Sequence, residues 1–375
     1  MSVSVGKIFG VQIRIHYTWV FIFLLITWSL ATGYMPSQFP GLETSVYWII
    51  GIISALALFI SVLIHELAHS YVALRQGLNV PSITLFLFGG VSEILEEPEN
   101  PKLEAKMAAI GPLSSFGIAV VFAILWFMAI NLNLDTVIIA PLSYIAIINV
   151  LLGGFNLLPA FPLDGGRVLR AALWNWKKNL IKATSLSSKI SSAIAYIMVG
   201  LGFVLMLFLD LFNGLWLIFI GWFLKNGAES SLKQTIISQA LGNVSVQKIM
   251  NIDVKSVSPE MSISAIITDY FEQFSHGGFP VVTDGQFLGI VTISDVREVE
   301  PKKRDETKVR DIMTTKDRVI FVSPDESSVD ALVKLSKNNI GRLPVLDQNK
   351  LVGILTRSDI MKVIRTRTEL KDFDR

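Results

Sequence analysis

The stretch SALALFISVLIHELAHSYVALRQG, residues 54–77, combines a membrane-length apolar helix with a metal-binding pattern. Uncharged residues run from 45 to 64, and about 20 such residues can cross the hydrocarbon core of a bilayer. His65, Glu66 and His69 follow at once in the order H-E-x-x-H. Helix positions i and i+4 share one face, so both imidazoles can bind one cation, and Glu66 can take a proton from the attacking water. Ionisable groups at membrane depth are costly, which indicates a functional site.

A catalytic zinc uses three protein ligands and an open position for water, so one ligand is still missing. The stretch NLLPAFPLDGGR, residues 156–167, offers Asp164 between proline and glycine residues, where an apolar helix must break. We therefore predict one Zn2+ per chain bound by His65, His69 and Asp164. The alternative is a polar histidine pair inside a helix bundle and an aspartate that only ends a helix. Asn156 could hydrogen-bond a peptide carbonyl or steady the oxygen at the metal, and a role in helix–helix packing fits it equally well.

Composition places the chain among proteins with a large membrane part. Of its 375 residues 51% are hydrophobic, and the mean hydropathy is +0.54. The net charge of +2 gives no indication of nucleic acid binding. The chain has no cysteine, which excludes disulfides and thiolate metal ligands. Residues 1–11 are too polar for a secretory signal, so we expect the N-terminus to be retained.

Apolar segments recur along the N-terminal part of the chain. We predict six transmembrane helices, with the metal site between the second and the fourth: residues 15–33, 45–64, 107–132, 136–162, 190–209 and 213–224. The last two could instead form a re-entrant pair. Lys and Arg precede the first segment and follow the second, fourth and sixth, whereas the other connections have none. This pattern predicts a multi-pass protein of the cell membrane with both termini in the cytoplasm. Residues 81–94 fit either a hairpin that could pair with an extended peptide or an amphipathic loop.

The pair HELAH (65–69) and NLLPAFPLDGGR (156–167) resembles the site-2 proteases, which are intramembrane zinc metalloproteases. The resemblance covers essentially the whole membrane half of the chain. It implies that the two histidines and Asp164 bind zinc and that Glu66 is the base that activates water. It also implies a substrate that is a transmembrane helix of another protein, locally unwound and cut within or near the lipid bilayer.

The C-terminal part is soluble in pattern and contains an internal repeat. GIVTISD (289–295) matches GILTRSD (353–359), and three other short matches lie at offsets of 63 to 65 residues. Helical stretches alternate with short apolar strands, an α/β pattern. The repeat resembles a tandem CBS (cystathionine β-synthase-type) module, which implies a cleft for an adenine nucleotide (ATP, ADP or AMP). By that resemblance the nucleotide would contact Ser258, Thr292, Asp295, Ser323, Thr356 and Asp359. The alternative is a ligand-free module that forms a homodimer.

These observations predict a transmembrane protease domain over residues 1–227, a linker over 228–243, and CBS repeats over 244–303 and 304–375. One function is an intramembrane zinc metalloendopeptidase whose activity is regulated by adenine nucleotide. The other is a CBS-regulated cation transporter or channel with an intramembrane His/Asp path. Hydrolysis needs Glu66 to accept a proton, whereas an ion path does not. His16 fits an interfacial or structural role better than a ligand role.

Overall fold

The computed structural model describes residues 2–87, 89–93, 98–242, 244–274 and 276–372. The chain divides into two compact units, Met1–Leu232 and Lys233–Arg375. Phe88 and Ile94 of the predicted hairpin segment and Asn243 of the predicted linker lie outside the described residues.

The first unit contains a small sheet and a bundle of long helices. Its strands are β1 (Ser2–Ile8), β2 (Val11–His16), β3 (Ser82–Phe86) and β4 (Gly89–Glu93). The helices are α1 (Tyr17–Ser29), α2 (Met35–Gln38), α3 (Thr44–Arg75), α4 (Pro101–Asn131), α5 (Thr136–Asn156), α6 (Asp164–Lys177), α7 (Leu180–Phe208) and α8 (Leu211–Leu241). A π-helical turn, Leu30–Tyr34, joins α1 to α2, and the boundary between the two units falls within α8.

Five helical stretches of the described chain are long and apolar enough to cross a bilayer: Tyr17–Gln38, Thr44–Arg75, Pro101–Asn131, Thr136–Asn156 and Leu180–Phe208. Many large apolar side chains on these helices are exposed, which suits contact with lipid. The helix α5 ends at Asn156, earlier than predicted, because prolines follow. The predicted sixth span, 213–224, lies in α8. The apolar part of α8 before Lys225 is shorter than about 20 residues, so its crossing stays a prediction.

The N-terminal sheet has the strand order β1-β2-β3-β4. Two antiparallel hairpins, β1–β2 and β3–β4, meet through a parallel pairing in which Gln12 lies opposite Ser82. The described part of the 81–94 segment is therefore a hairpin, with β4 at the edge of the sheet. Val11 and Ile83 pack in one apolar cluster with Ala73 of α3. This packing sets the sheet beside the half of α3 that carries the histidines.

The N-terminus of α1 is capped by His16, the residue whose role was open. Its Nδ1 accepts a hydrogen bond from the backbone N–H of Thr18 at 3.5 Å and lies 2.8 Å from Thr18 Oγ1. A side chain that accepts from the first free N–H groups stabilises a helix end. His16 thus has a structural role where the sheet passes into the first helix.

The second unit is an α/β fold. Its strands are β5 (Gly278–Thr283), β6 (Gln286–Thr292), β7 (Thr314–Thr315), β8 (Arg342–Asp347) and β9 (Lys350–Thr356). Its helices are α9 (Ile263–Ile266), α10 (Ile293–Arg297), α11 (Val309–Ile312), α12 (Ser328–Lys337) and α13 (Arg357–Asp372). A π-helical turn (Ile267–Phe271) follows α9, and short 3-10 turns lie at Val246–Lys248, Pro301–Lys303 and Lys316–Arg318.

The sequence repeat of this unit is also a structural repeat. The sheet order is β5-β6-β9-β8, with β7 beside β6, so one hairpin of each repeat meets the other through β6 and β9. Both hairpins contain a register shift just after equivalent residues, Val281 and Val345. Val281 also bridges to Val257 in parallel, as Val345 does to Val322.

Candidate metal centre and catalytic site

Three possible metal ligands from two helices meet in a buried site. His65 and His69 lie one turn apart on α3, and Asp164 is the first residue of α6. Asp164 Oδ2 lies 3.0 Å from His65 Nε2 and 3.1 Å from His69 Nε2. The three ligand atoms lie within 4.8 Å of one another. Only 4% of each histidine and 9% of Asp164 is exposed, so the described chain largely encloses them.

The second ring nitrogen of each histidine contacts α4. His65 Nδ1 lies 3.0 Å from Ser115 Oγ, and His69 Nδ1 lies 2.5 Å from the carbonyl oxygen of Met107. A carbonyl only accepts, so His69 Nδ1 carries the hydrogen and the neutral ring presents a lone pair at Nε2. That lone pair faces an oxygen of Asp164. Two acceptors so close repel each other unless a proton or a cation lies between them.

This donor set fits zinc. Two imidazole nitrogens and one carboxylate oxygen are ligands that catalytic zinc sites use, and three of them leave a fourth position open. The contacts at Nδ1 fix the orientation of both rings, as partners of metal-binding histidines commonly do. The residues present are therefore able to hold Zn2+.

Gly111 of α4 provides the space between the two rings. A Cβ at this position would lie 2.6 Å from His65 Nε2 and closer still to His69 Nε2. Met107, Gly111 and Ser115 follow at intervals of four residues, so they lie on one face of the helix. One face of α4 thus forms a wall of the site.

The loop 157–163 brings Asp164 to the histidines. Gly165 packs directly on this loop, since a Cβ there would collide with two loop carbonyl oxygens. The backbone N–H of Phe161 donates to Ser191 Oγ of α7 at 2.9 Å. The loop is therefore held from both sides, which explains how an irregular segment can place a carboxylate accurately.

Glu66 is half-buried and contacts the edge strand β4. Its Oε2 accepts a hydrogen bond from Ser92 Oγ at 2.7 Å, and Ser92 Oγ accepts from Ser70 Oγ at 3.2 Å. Gly90 permits this approach, because a Cβ there would lie 2.5 Å from Glu66 Cγ. The carboxylate next to the candidate ligands is thus oriented by the sheet.

The chain matches the family model of peptidase family M50 over residues 53–134 and 128–207, and the CBS domain model over 246–302 and 309–366. It is 33% identical over 376 residues to the zinc metalloprotease MJ0392 of Methanocaldococcus jannaschii, and the match covers 99% of each chain. The chain belongs to peptidase family M50. It is also 32% identical over 365 residues to the Mycobacterium tuberculosis protein Rip3, covering 97% of this chain and 93% of that one.

This M50 peptidase is a zinc metalloprotease of the site-2 type with tandem CBS domains, and it is a membrane protein. The resemblance predicted from its motifs and its assignment as an enzyme are thereby confirmed. Among solved structures, a site-2 protease from Methanocaldococcus jannaschii is 33% identical with a TM-score of 0.42, covering 62% of this chain and 95% of that one.

Asn156 of the peptidase ends α5 and is half-buried. Its side-chain amide donates to the carbonyl oxygen of Leu152, one turn earlier, at 3.1 Å. The structure thus gives Asn156 a contact within its own helix. Contact with substrate or with the oxygen at the metal stays a prediction.

Four of the predicted nucleotide contacts form two equivalent helix caps. The backbone N–H and the hydroxyl of Thr292 donate to Asp295 Oδ2 at 2.7 and 2.8 Å, at the start of α10. Thr356 donates to Asp359 Oδ2 in the same way at 2.9 and 2.6 Å, at the start of α13. These bonds leave the second carboxylate oxygen of each aspartate for other partners. Nucleotide contact by these residues stays a prediction.

Ser258 and Ser323, the other two predicted contacts, lie at equivalent turns. Ser258 Oγ accepts from the backbone N–H of Glu260 at 3.3 Å, and the N–H of Ser323 donates to the carboxylate of Glu326 at 3.4 Å. A hydrogen bond from Lys308 lowers the pKa of the exposed Glu260 carboxyl.

Sequence reasoning missed the groups that orient the site. Ser115 could have been found, because a serine within a predicted span is a polar residue that needs a partner. Ser92 lies in the segment predicted as hairpin or loop, and nothing local points it at Glu66. No sequence pattern marks the Met107 carbonyl, since every residue has a backbone carbonyl.

Proposed function

We propose that this peptidase cuts the transmembrane segments of other membrane proteins, as in regulated intramembrane proteolysis. His65, His69 and Asp164 would hold one Zn2+ per chain. When bound, the metal supplies Lewis acidity, which polarises a peptide carbonyl and makes water nucleophilic near neutral pH. The observation that carries this proposal is that His65 Nε2, His69 Nε2 and Asp164 Oδ2 meet in an enclosed site. The hydrogen-bonded carboxylate of Glu66 lies beside them.

Glu66 is the general base and acid of the proposed reaction. Its carboxylate accepts a proton from the attacking water and later gives it to the leaving amine. Ser92 limits the rotation of this carboxylate by holding Oε2, so that the proton acceptor is already oriented. The walls formed by α4 and the loop 157–163 restrict the access of bulk water.

The substrate would bind as an extended strand. A transmembrane helix satisfies its own carbonyls, so it must unwind before one of them can be attacked. Among the described strands β4 pairs only with β3, and its other edge can pair with an extended peptide backbone. We expect helix-breaking Gly or Pro near the cut. Asn156 could bind a peptide carbonyl there after a change of rotamer.

The remaining predictions of organisation belong to the same proposal. The protein would cross the cell membrane six times, with both termini in the cytoplasm. Residues 1–227 would form the protease, 228–243 the linker, and 244–303 with 304–375 the CBS repeats. An adenine nucleotide bound to this pair would change the rate of cleavage, and the pair could also form a homodimer.

The metal and the base can be tested separately. We expect about one zinc per chain in the purified protein, loss of zinc in Asp164→Ala, and retention of zinc in Glu66→Gln. Cleavage of a membrane-anchored test substrate by Glu66→Gln should fall at least about 100-fold, as expected for loss of a general base. Glu229→Gln is the control, because Glu229 forms an exposed ion pair on α8. Unchanged cleavage by Glu66→Gln, or full zinc content in Asp164→Ala, would refute the mechanism.

A further inference from the structure

A buried ion pair with no step in the proposed reaction links α4, the helix that contacts both imidazoles, to α6, the helix that begins with Asp164. Glu104 of α4 is fully buried, and only 7% of Arg170 of α6 is exposed. Arg170 Nε donates to Glu104 Oε1 at 2.5 Å, and Arg170 Nη2 contacts the same oxygen. The guanidinium carbon also lies 5.7 Å from the ring centre of Phe161, in the loop before Asp164.

The positions of the two charges in their helices relate them to the metal ligands. Glu104 lies one turn before Met107, whose carbonyl contacts His69. It thus extends the wall of α4 formed by Met107, Gly111 and Ser115. Arg170 lies on α6, the short helix that begins with Asp164. One partner belongs to the helix that orients the imidazoles, and the other belongs to the helix that carries the carboxylate.

Stability alone does not explain a pair of this kind. Desolvating two charges costs several kcal/mol per ion, and apolar residues of similar volume often do as well or better. Two charged N–H donors of one guanidinium on Glu104 Oε1 do, however, restrict the relative position of two helices more than apolar contacts do. The site needs a fixed spacing of α4 and α6, because α4 orients both imidazoles through Ser115 and the Met107 carbonyl whereas α6 carries Asp164.

We propose that Glu104 and Arg170 are positioning residues that set the place of Asp164 relative to His65 and His69, so that zinc affinity depends on the pair. This inference rests on the proposed function, in which those three residues hold zinc. The proposal assigns neither partner a contact with zinc or with the substrate. Both act through the spacing of α4 and α6.

The test is the zinc affinity of the full-length protein in detergent, measured by competition with a chelator. Glu104→Gln should weaken zinc binding about tenfold or more, as substitutions of residues that orient metal ligands commonly do. It should also alter the visible spectrum of the cobalt-loaded protein, which reports ligand geometry. The control Glu229→Gln makes the same chemical change in the exposed pair with Lys225, 3.6 Å apart, and should leave both readings as in wild type.

Two further variants separate positioning from folding. The charge exchange Glu104→Arg with Arg170→Glu should recover part of the zinc affinity. Arg170→Lys keeps the charge but lacks the planar fork, so it should fold and still bind zinc more weakly. If Glu104→Gln does not fold, Arg170→Lys still tests whether zinc affinity depends on the pair. In each folded variant, zinc should raise the melting temperature by less than it does in wild type.

A purely structural pair would behave differently. It would lower the melting temperature equally with and without zinc and leave the affinity within twofold of wild type, and this result would overturn the inference. Wild-type protein that binds no zinc, or Asp164→Ala that binds it normally, would instead remove the proposed function itself. The two failures are therefore distinguishable.

Discussion

At the scale of single residues, the candidate metal centre is organised by groups that are not themselves candidate metal ligands. Ser115 and the Met107 carbonyl orient the rings, and Gly111 leaves the space in which they approach each other. The chemistry named by H-E-x-x-H therefore depends on residues of another helix. Their contribution is geometric, so it is best tested by changing shape rather than charge.

Gly111→Ala should abolish zinc binding while the protein remains folded. The added methyl group would occupy the space between the two Nε2 atoms, and the rings would have to turn away from each other. Zinc content after purification measures the effect. Gly117→Ala on the same helix is the matched control, because a Cβ there meets no atom within 4 Å. Equal zinc content in the two variants would contradict the assigned role of Gly111.

Sequence alone identified the residues with distinctive chemistry and missed those that act through packing. The i, i+4 spacing of the histidines is local, and Asp164 stands out because it interrupts an apolar run. Glu104 and Ser92 have no such distinction. Their partners, Arg170 and Glu66, lie 66 and 26 residues away along the chain, and only the folded structure brings them together.

At the scale of elements, the loop between α5 and α6 shows how an irregular segment acquires a fixed shape. Two prolines end α5, two glycines let α6 begin against the loop backbone, and α7 supplies a hydrogen-bond acceptor. The sequence predicts the break. It does not predict the support from α7, because Ser191 is one of several serines in that helix.

Ser191→Ala should lower the stability of the membrane unit. The substitution removes the acceptor of the Phe161 N–H, and an unpaired buried donor costs about 1–3 kcal/mol. The melting temperature in detergent should fall by about 2–4 °C for each kcal/mol in a unit of this size. The half-buried neighbour Ser192, changed to Ala, is the control. Identical melting curves for the two variants would show that this bond does not hold the loop.

The strands illustrate a second limit of sequence reading. The sequence fits either a hairpin or a loop over residues 81–94, and the structure has a hairpin over the described part of this segment. The N-terminal hairpin β1–β2 was not predicted. Its parallel pairing with β3 joins Gln12 to Ser82, and no local pattern encodes a contact across 70 residues.

At the scale of the whole molecule, the chain combines a membrane protease with a repeated α/β pair, and both parts were identified from their motifs. The CBS pair could be predicted because its repeat is visible as matched segments. Whether it controls the protease is a question about two units at once. That question needs an activity measurement on the intact chain.

Addition of ATP or AMP should change the cleavage rate, and Asp295→Ala combined with Asp359→Ala should abolish the change. Both aspartates also cap helices, and losing a cap costs about 1 kcal/mol. Asp311→Ala is therefore the control: Asp311 accepts the Lys308 N–H at 3.0 Å at the start of α11 but lies outside the predicted nucleotide site. Equal wild-type rates with and without nucleotide would argue against regulation by this ligand.

The length of α3 bears on where a substrate would be cut. Its 32 residues extend about 48 Å, whereas the hydrocarbon core of a bilayer is about 30 Å thick. Along the helix axis, His65 lies about 32 Å from Thr44. If Thr44 lies at one face of the hydrocarbon core, His65 lies close to the other face. Under the proposed function, hydrolysis at that level would divide a substrate near the margin of the membrane rather than at its midplane. One product would keep almost its entire lipid anchor, and the other would be free to diffuse away.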